Sequence, residues 1–172
     1  ETELIATIGE NMTLRRVSVL TADNGLVAAY SHMGGKIGAL VALTGKTGNE
    51  VSVLGKDLAM HIAAAAPRFL KSSEVNAAEL EQEKEIARKK LIEEGKPEAM
   101  IEKILVGQMN KFYKEICLVD QAFVKDPSTS VSKYLETTAA GVEIAGFSRF
   151  QLGEGIEKKQ ENFAEEVAAQ LK

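Results

Sequence analysis

Three side chains in this sequence stand out as candidates for chemistry: His32, His61 and Cys117, its complete stock of histidine and cysteine. A metal centre draws three or four ligands at set spacings, and the sequence has neither a His-x-x-x-His nor a Cys-x-x-Cys pair. Cys117 lies in the apolar run Ile116 to Val119 and reads as a small buried hydrophobe rather than a nucleophile. His61 borders the apolar face of a helix, where packing or an edge hydrogen bond is its expected role. His32 differs, because the glycine-rich run Met33-Gly34-Gly35-Lys36 that follows it reads as an exposed turn, a common place for binding residues. Gly45-Lys46-Thr47 has the setting of a phosphate-binding loop, but that loop needs a glycine five residues before its Gly-Lys pair, and Leu40 stands there. Carboxylates are abundant without forming an evident acid/base pair, and Glu154 and Glu157 are placed to oppose the positive end of a final helix. No cofactor, no metal and no enzyme is specified.

The elements around these residues follow from periodicity and punctuation. Residues 13 to 44 read as a three-stranded antiparallel meander: Thr13 to Leu20, a turn at Asn24-Gly25, Leu26 to His32, the glycine-rich turn, and Ile37 to Thr44. Val51, Leu54, Leu58, Ile62 and Ala65 then recur at helical spacing until Pro67 stops the helix. Residues 79 to 114 carry eight Glu against eight Lys or Arg, heavily charged yet locally neutral. Asn76 with Glu79 reads as a capping box, and Gly95-Lys96-Pro97 closes one helix and opens another. Leu80, Ala87, Leu91, Ile101, Ile104, Leu105 and Phe112 form only a narrow apolar seam, so the two helices are expected to project as an antiparallel hairpin. Asp126-Pro127-Ser128 marks a further helix start, with Val131, Tyr134 and Leu135 inside and Gly141 near its end. Phe147 to Leu152 reads as a returning strand. The Gly153-Glu154-Gly155 hinge then leads into an acidic amphipathic helix with Phe163 and Val167 on one face, suited to gripping another protein.

The fold class is therefore α+β: an antiparallel sheet with flanking helices, an inserted antiparallel helical hairpin and a C-terminal helix. Residues 1–77 and 116–155 make a discontinuous core subdomain, 78–115 the hairpin insertion, and 156–172 the C-terminal helix module. With 172 residues, 45% of them hydrophobic and 27% charged, the chain can bury a core and keep a polar surface. A net charge of −4 argues against nucleic acid as a direct partner, since phosphate binding leaves a basic footprint. No apolar run approaches the ~20 residues of a membrane span. One cysteine allows no internal disulfide and fits a reducing cytoplasm.

Six segments in order resemble the elongation factor Ts family, nucleotide exchange factors for the GTPase elongation factor Tu. They are Ile8-Gly-Glu-Asn-Met-Thr-Leu-Arg-Arg-Val17, Tyr30-Ser-His-Met-Gly-Gly-Lys-Ile-Gly38, Ala59-Met-His-Ile-Ala-Ala64, Gly95-Lys-Pro97, Phe123-Val-Lys-Asp-Pro127, and Arg149-Phe-Gln-Leu-Gly-Glu-Gly-Ile-Glu-Lys158 with Phe163-Ala-Glu-Glu-Val-Ala168. The resemblance implies a non-enzymatic protein that binds the nucleotide-free GTPase best and so lowers its affinity for GDP. By analogy the turn at His32, Met33 and Gly34 would face the third domain of elongation factor Tu, and the helix of Phe163 and Val167 its nucleotide-binding domain. The family also carries, in a first core subdomain, a Thr-Asp-Phe-Val motif that disturbs the GTPase near its magnesium site. These 172 residues lack that run, and Ala122-Phe123-Val124 is too superficial an echo to inherit its role. The resemblance is thus to the C-terminal part of the family's protein, and the chain is expected to be a fragment or proteolytic product. The alternative is a structural module that self-associates, as a homodimer, through the hairpin or an exposed sheet.

Overall fold

A computed structural model describes residues 2–10 and 14–155 of the chain. A short helix, α1 (Thr2–Ile8), precedes a hairpin of strands β1 (Gly25–His32) and β2 (Ile37–Thr44), and helix α2 (Asn49–Ala65) follows. Two long helices, α3 (Ala77–Glu93) and α4 (Glu98–Ile116), come next. A small ribbon of β3 (Ala122–Phe123) and β4 (Asp126–Ser130), helix α5 (Val131–Thr138) and strand β5 (Glu143–Gln151) complete the described fold.

The main sheet is antiparallel with the order β1-β2-β5, so β2 is central and the third strand comes from beyond the helical hairpin. This corrects the expected meander: residues 14–20 form no strand. The free edge of β2 is taken by β5, whose register runs from Ile37 opposite Gln151 to Thr44 opposite Glu143, with an irregularity at Ala42/Leu43. Residues 14–20 keep their valines in solvent (Val17 72% and Val19 81% exposed), and Asn24 (φ 48°) opens β1 instead of joining two strands. A Val/Leu-rich run favours extended chain, but composition alone does not make a ladder: the outer edge of β1, where the meander would place this run, has no strand beside it among the described residues.

One face of the sheet lies on α2. Ala28, Ala39, Val41 and Leu43 meet Val51, Leu54, Leu58, Ala59 and Ile62 in a single buried cluster, which Leu118, Phe123 and Val131 complete. Each fully buried Leu or Ile contributes about 1.5–3 kcal/mol relative to exposure. Helix and sheet approach closely at Gly55, where an added Cβ would stand 2.7 Å from Ala28 Cβ. At the end of α2, Ala66 adopts the left-handed conformation and its N–H donates to Ile62 O, with Pro67 forbidding a further turn.

The two long helices pack on one another through a separate cluster of Ala87, Leu91, Ile101, Leu105 and Met109, flanked by Leu80, Ile104 and Tyr113. Phe112 is only half-buried and Tyr113 takes its expected place in the seam. The joint follows the sequence: Lys96 N–H donates to Leu91 O and Gly95 N–H to Ile92 O, with Gly95 at φ 71° and Pro97 preceding α4. The expected capping box forms by half. Asn76 Oδ1 accepts from Ala78 N–H, but Glu79 turns to the Arg68 guanidinium at 2.6 Å, a stronger, charge-assisted partner. At the base, chain 68–70 runs beside 116–119, with Arg68 N–H and Phe69 N–H both donating to Ile116 O.

The helix expected from Asp126 begins later. Asp126 Oδ1 accepts from Ser128 N–H, folding the chain into a turn, and residues 126–130 pair with β3. Ser130 is the true cap, its Oγ accepting from Lys133 N–H, and Val131, Tyr134 and Leu135 then face the core as expected.

Candidate partner-binding site at the β1–β2 turn

His32 is the last residue of β1, paired opposite Ile37, and the four residues between them make the turn. Met33, Gly34 and Gly35 all have positive φ (51°, 66° and 93°), and Gly35 N–H donates to His32 O. Two glycines accept this backbone without strain, whereas Met33 holds a conformation that non-glycine residues seldom adopt. Met33 is 63% exposed, so the turn presents a large apolar side chain to solvent beside His32. Beneath them lies a paired ladder rather than a mobile loop.

Tyr30, which sequence reasoning passed over, fixes the histidine. Its hydroxyl lies 3.1 Å from His32 Nδ1, and the rings stack with centroids 5.8 Å apart and planes 27° apart. Residues two apart on a strand share a face, and that spacing was the available signal.

The turn also adjoins the exit of the chain. Leu152 N–H donates to Lys36 O just beyond the Ile37–Gln151 pair, and the Gly153–Gly155 segment follows. Glu154 there pairs with Arg16 at 2.8 Å, while the Arg15 guanidinium donates to the Glu154 carbonyl. Arg16 also sits 4.8 Å above the centre of the Phe150 ring. The Arg16 hydrogen bond holds the Glu154 carboxyl below its ordinary value. The structure thus gathers His32, Met33 and Gly34 at the end of the sheet from which the chain departs. Phe163, Val167 and Glu157 lie outside the described residues.

The other candidates are structural. His61 is fully buried and bonded on both ring nitrogens, Nε2–H donating to Gln121 Oε1 at 2.9 Å and Nδ1 accepting from Val124 N–H at 3.1 Å. Cys117 is fully buried, and burial, chiefly, pushes its thiol pKa up to about 11, far from a reactive thiolate. Lys46 donates to the Ala140 carbonyl, tying its loop to the residues after α5. Phe123 is buried and stacked on Tyr134 at 4.1 Å, so the Ala122-Phe123-Val124 echo is a core contact. Among the described residues no group of three or more His, Cys, Asp or Glu is placed to hold a metal ion. No described helix is long and apolar enough to cross a membrane. An open cleft of about 680 Å³ separates β5 from the end of α2, but its guanidinium groups are already engaged: Arg16 with Glu154, Arg68 with Glu79 and Arg149 with Ala63 O.

Comparison with known proteins agrees with the order of motifs along the chain. The sequence profile described as Elongation factor TS matches residues 1–154. Elongation factor Ts of Magnetococcus marinus is 49% identical over 172 residues, covering 97% of this chain and 57% of that protein. Its counterpart in Syntrophotalea carbinolica is 49% identical over 178 residues, covering 100% and 59%. That of Clostridium botulinum is 46% identical over 175 residues, covering 99% and 57%. The chain therefore spans under three-fifths of the length of these relatives. A profile matched over most of the chain, with identities near one residue in two, places it in the elongation factor Ts family.

Proposed function

We propose that this chain is the partner-gripping part of a guanine-nucleotide exchange factor that binds elongation factor Tu and promotes GDP release. The observation that carries the reading is the family match over residues 1–154 together with the exposed turn of His32, Met33 and Gly34 on a rigid ladder. The turn would form one contact and the segment bearing Phe163 and Val167 a second. An exchange factor works by binding the empty GTPase more tightly than the GDP-loaded one, and linkage makes GDP and the factor weaken each other equally. Equal affinity for both states would shift nothing, however tight the binding. The 172 residues contain no Thr-Asp-Phe-Val run, so the chain tested alone would retain elongation factor Tu in a pull-down yet accelerate release of a fluorescent GDP only slightly. Failure to retain the nucleotide-free GTPase refutes the binding role. Release as fast as with a full-length factor refutes the division of labour.

A second reading, self-association, is favoured by the sheet face turned away from α2, where Val27 and Phe150 are partly exposed beside the solvated Val17 and Val19. Under it the sedimentation coefficient would rise with concentration in the absence of any partner.

A further inference from the structure

The contact between Tyr30 and His32 determines what the turn can offer a partner. The Tyr30 ring packs against the main core while His32 is exposed, so the packed side chain orients the exposed one. A phenol is a good donor, and among the described residues the Tyr30 hydroxyl has no other partner than His32 Nδ1 at 3.1 Å. If the hydroxyl donates to Nδ1, the ring proton of the neutral imidazole resides on Nε2, because the bond made by one ring nitrogen sets the state of the other. Nε2 has no hydrogen-bond partner among the described residues.

We infer that Tyr30 is a positioning residue that holds His32 as its Nε2–H tautomer, so that the turn presents an N–H donor and the partner's matching group is an acceptor, a carbonyl or carboxylate oxygen. The inference rests on the reading of this turn as a surface for the GTPase. The opposite arrangement, with Nδ1–H donating to the phenol, would leave Nε2 an acceptor and call for a donor on the partner. The two differ in a way that side-chain replacement can read. The amide nitrogen of glutamine reaches close to the place of Nε2, and that of asparagine to the place of Nδ1.

Two measurements on the full chain test this. Nitrogen-15 spectra of the histidine side chains, assigned by the signals lost in His32→Ala, should show a protonated Nε2 and an unprotonated, hydrogen-bonded Nδ1. Tyr30→Phe keeps the ring stack and should move the Nδ1 shift towards a tautomer mixture. In calorimetry against nucleotide-free elongation factor Tu, His32→Gln should bind within about threefold of the unaltered chain, and His32→Asn should lose as much as His32→Ala. Tyr30→Phe should weaken binding by about 2- to 10-fold, the range of one ordinary hydrogen bond. A protonated Nδ1, unmoved shifts in Tyr30→Phe, or rescue by Asn in place of Gln overturns the inference, and the exposed position of His32 keeps its variants folded should Tyr30→Phe not fold. The Nε2–H tautomer combined with undiminished binding by His32→Ala overturns the partner reading of the turn instead, so the two failures are told apart.

Discussion

Replacing Gln121 by Leu tests whether the buried polar node under the sheet holds the fold together. Gln121 is nearly fully buried and serves three partners. Its Oε1 accepts from His61 Nε2–H at 2.9 Å, and its Nε2 donates to Glu115 O at 2.8 Å and to Ala65 O at a weaker 3.4 Å. One side chain thereby joins the end of α2, the base of the helical hairpin and the approach to β3. Leucine matches the volume but leaves the His61 N–H buried without an acceptor, which costs about 1–3 kcal/mol. The two carbonyls also lose a donor, at smaller cost because they end their helices near solvent. A total of about 2–3 kcal/mol, at roughly 2–4 °C of melting temperature per kcal/mol for a domain of this size, gives a fall of about 4–12 °C by calorimetry. A second replacement, His61→Leu, removes the orphaned donor, so the double variant should be more stable than the sum of the two losses predicts, by about 0.5–3 kcal/mol. A Gln121→Leu melt within one degree of the unaltered protein, or strict additivity, would refute the reasoning.

The same node sets a pH dependence. Nδ1 accepts from a backbone N–H, which can only donate, so His61 must be neutral with its proton on Nε2. Burial pushes its pKa below the ordinary imidazole value of 6.5, with the Gln121 hydrogen bond opposing. The unfolded chain therefore takes up the proton first, and stability rises with pH between the two pKa values. The contribution is complete above about pH 6.5 and is lost as pH falls from there through the folded-state pKa, below which it is flat. Urea titrations across this window should show the loss, and His61→Leu should flatten it.

Other outcomes follow from packing. Gly55→Val should destabilise by about 1–3 kcal/mol, since even a Cβ would crowd Ala28, and a melt unchanged by the substitution would show that helix and sheet can separate freely. Replacing residues 77–112 with a short Gly/Ser linker should leave one cooperative melt, because the cluster within the hairpin is distinct from the main core and chain 68–70 is bonded to 116–119 without it. Loss of cooperativity would make the hairpin part of the core. Cys117 should resist thiol reagents in the folded chain and react fully in denaturant, and rapid labelling without denaturant would contradict its burial.

What was legible in the sequence was what local patterning dictates. The helix over 49–65, the hairpin of α3 and α4 with its Gly95-Pro97 joint, and the turn after His32 all carry their own punctuation, and each appears within a few residues of its expected place. What was illegible depended on partners far along the chain. Residues 14–20 have strand-like composition, yet they form no ladder on the outer edge of β1, and Arg15 and Arg16 reach instead to Glu154, 138 residues beyond Arg16. Asp126 has the chemistry of a helix cap, but Ser130 caps the helix because the chain first pairs with β3. Glu79 fits a capping box until Arg68 arrives from the preceding loop. The candidate site was half visible. His32 and Met33 announce themselves through the glycines beside them, while the Tyr30 contact asks only that β1 be extended, and the Arg16–Glu154 pair joins residues 138 apart in sequence, beyond what local pattern can show.

The arrangement also separates the residues that hold the fold from those available for binding. The core lies between α2 and one sheet face, and the His61–Gln121 node closes it at the base of the hairpin. The turn at His32 and the departing chain after Leu152 sit together at one end of the sheet, joined by the Lys36–Leu152 hydrogen bond, with Met33 and His32 exposed. Two contacts carried on one rigid ladder cost less to engage together than two on separate loops, because the second forms at the high effective concentration set by the first. If the turn and the C-terminal segment both grip the GTPase, weakening the Arg16–Glu154 pair should loosen binding while leaving the melt nearly unchanged, since an exposed ion pair adds little to stability. Arg16→Ala therefore separates the two roles. A fall in affinity at constant melting temperature supports a ladder that aligns two contacts, and an equal fall in both would show that the clasp belongs to the fold.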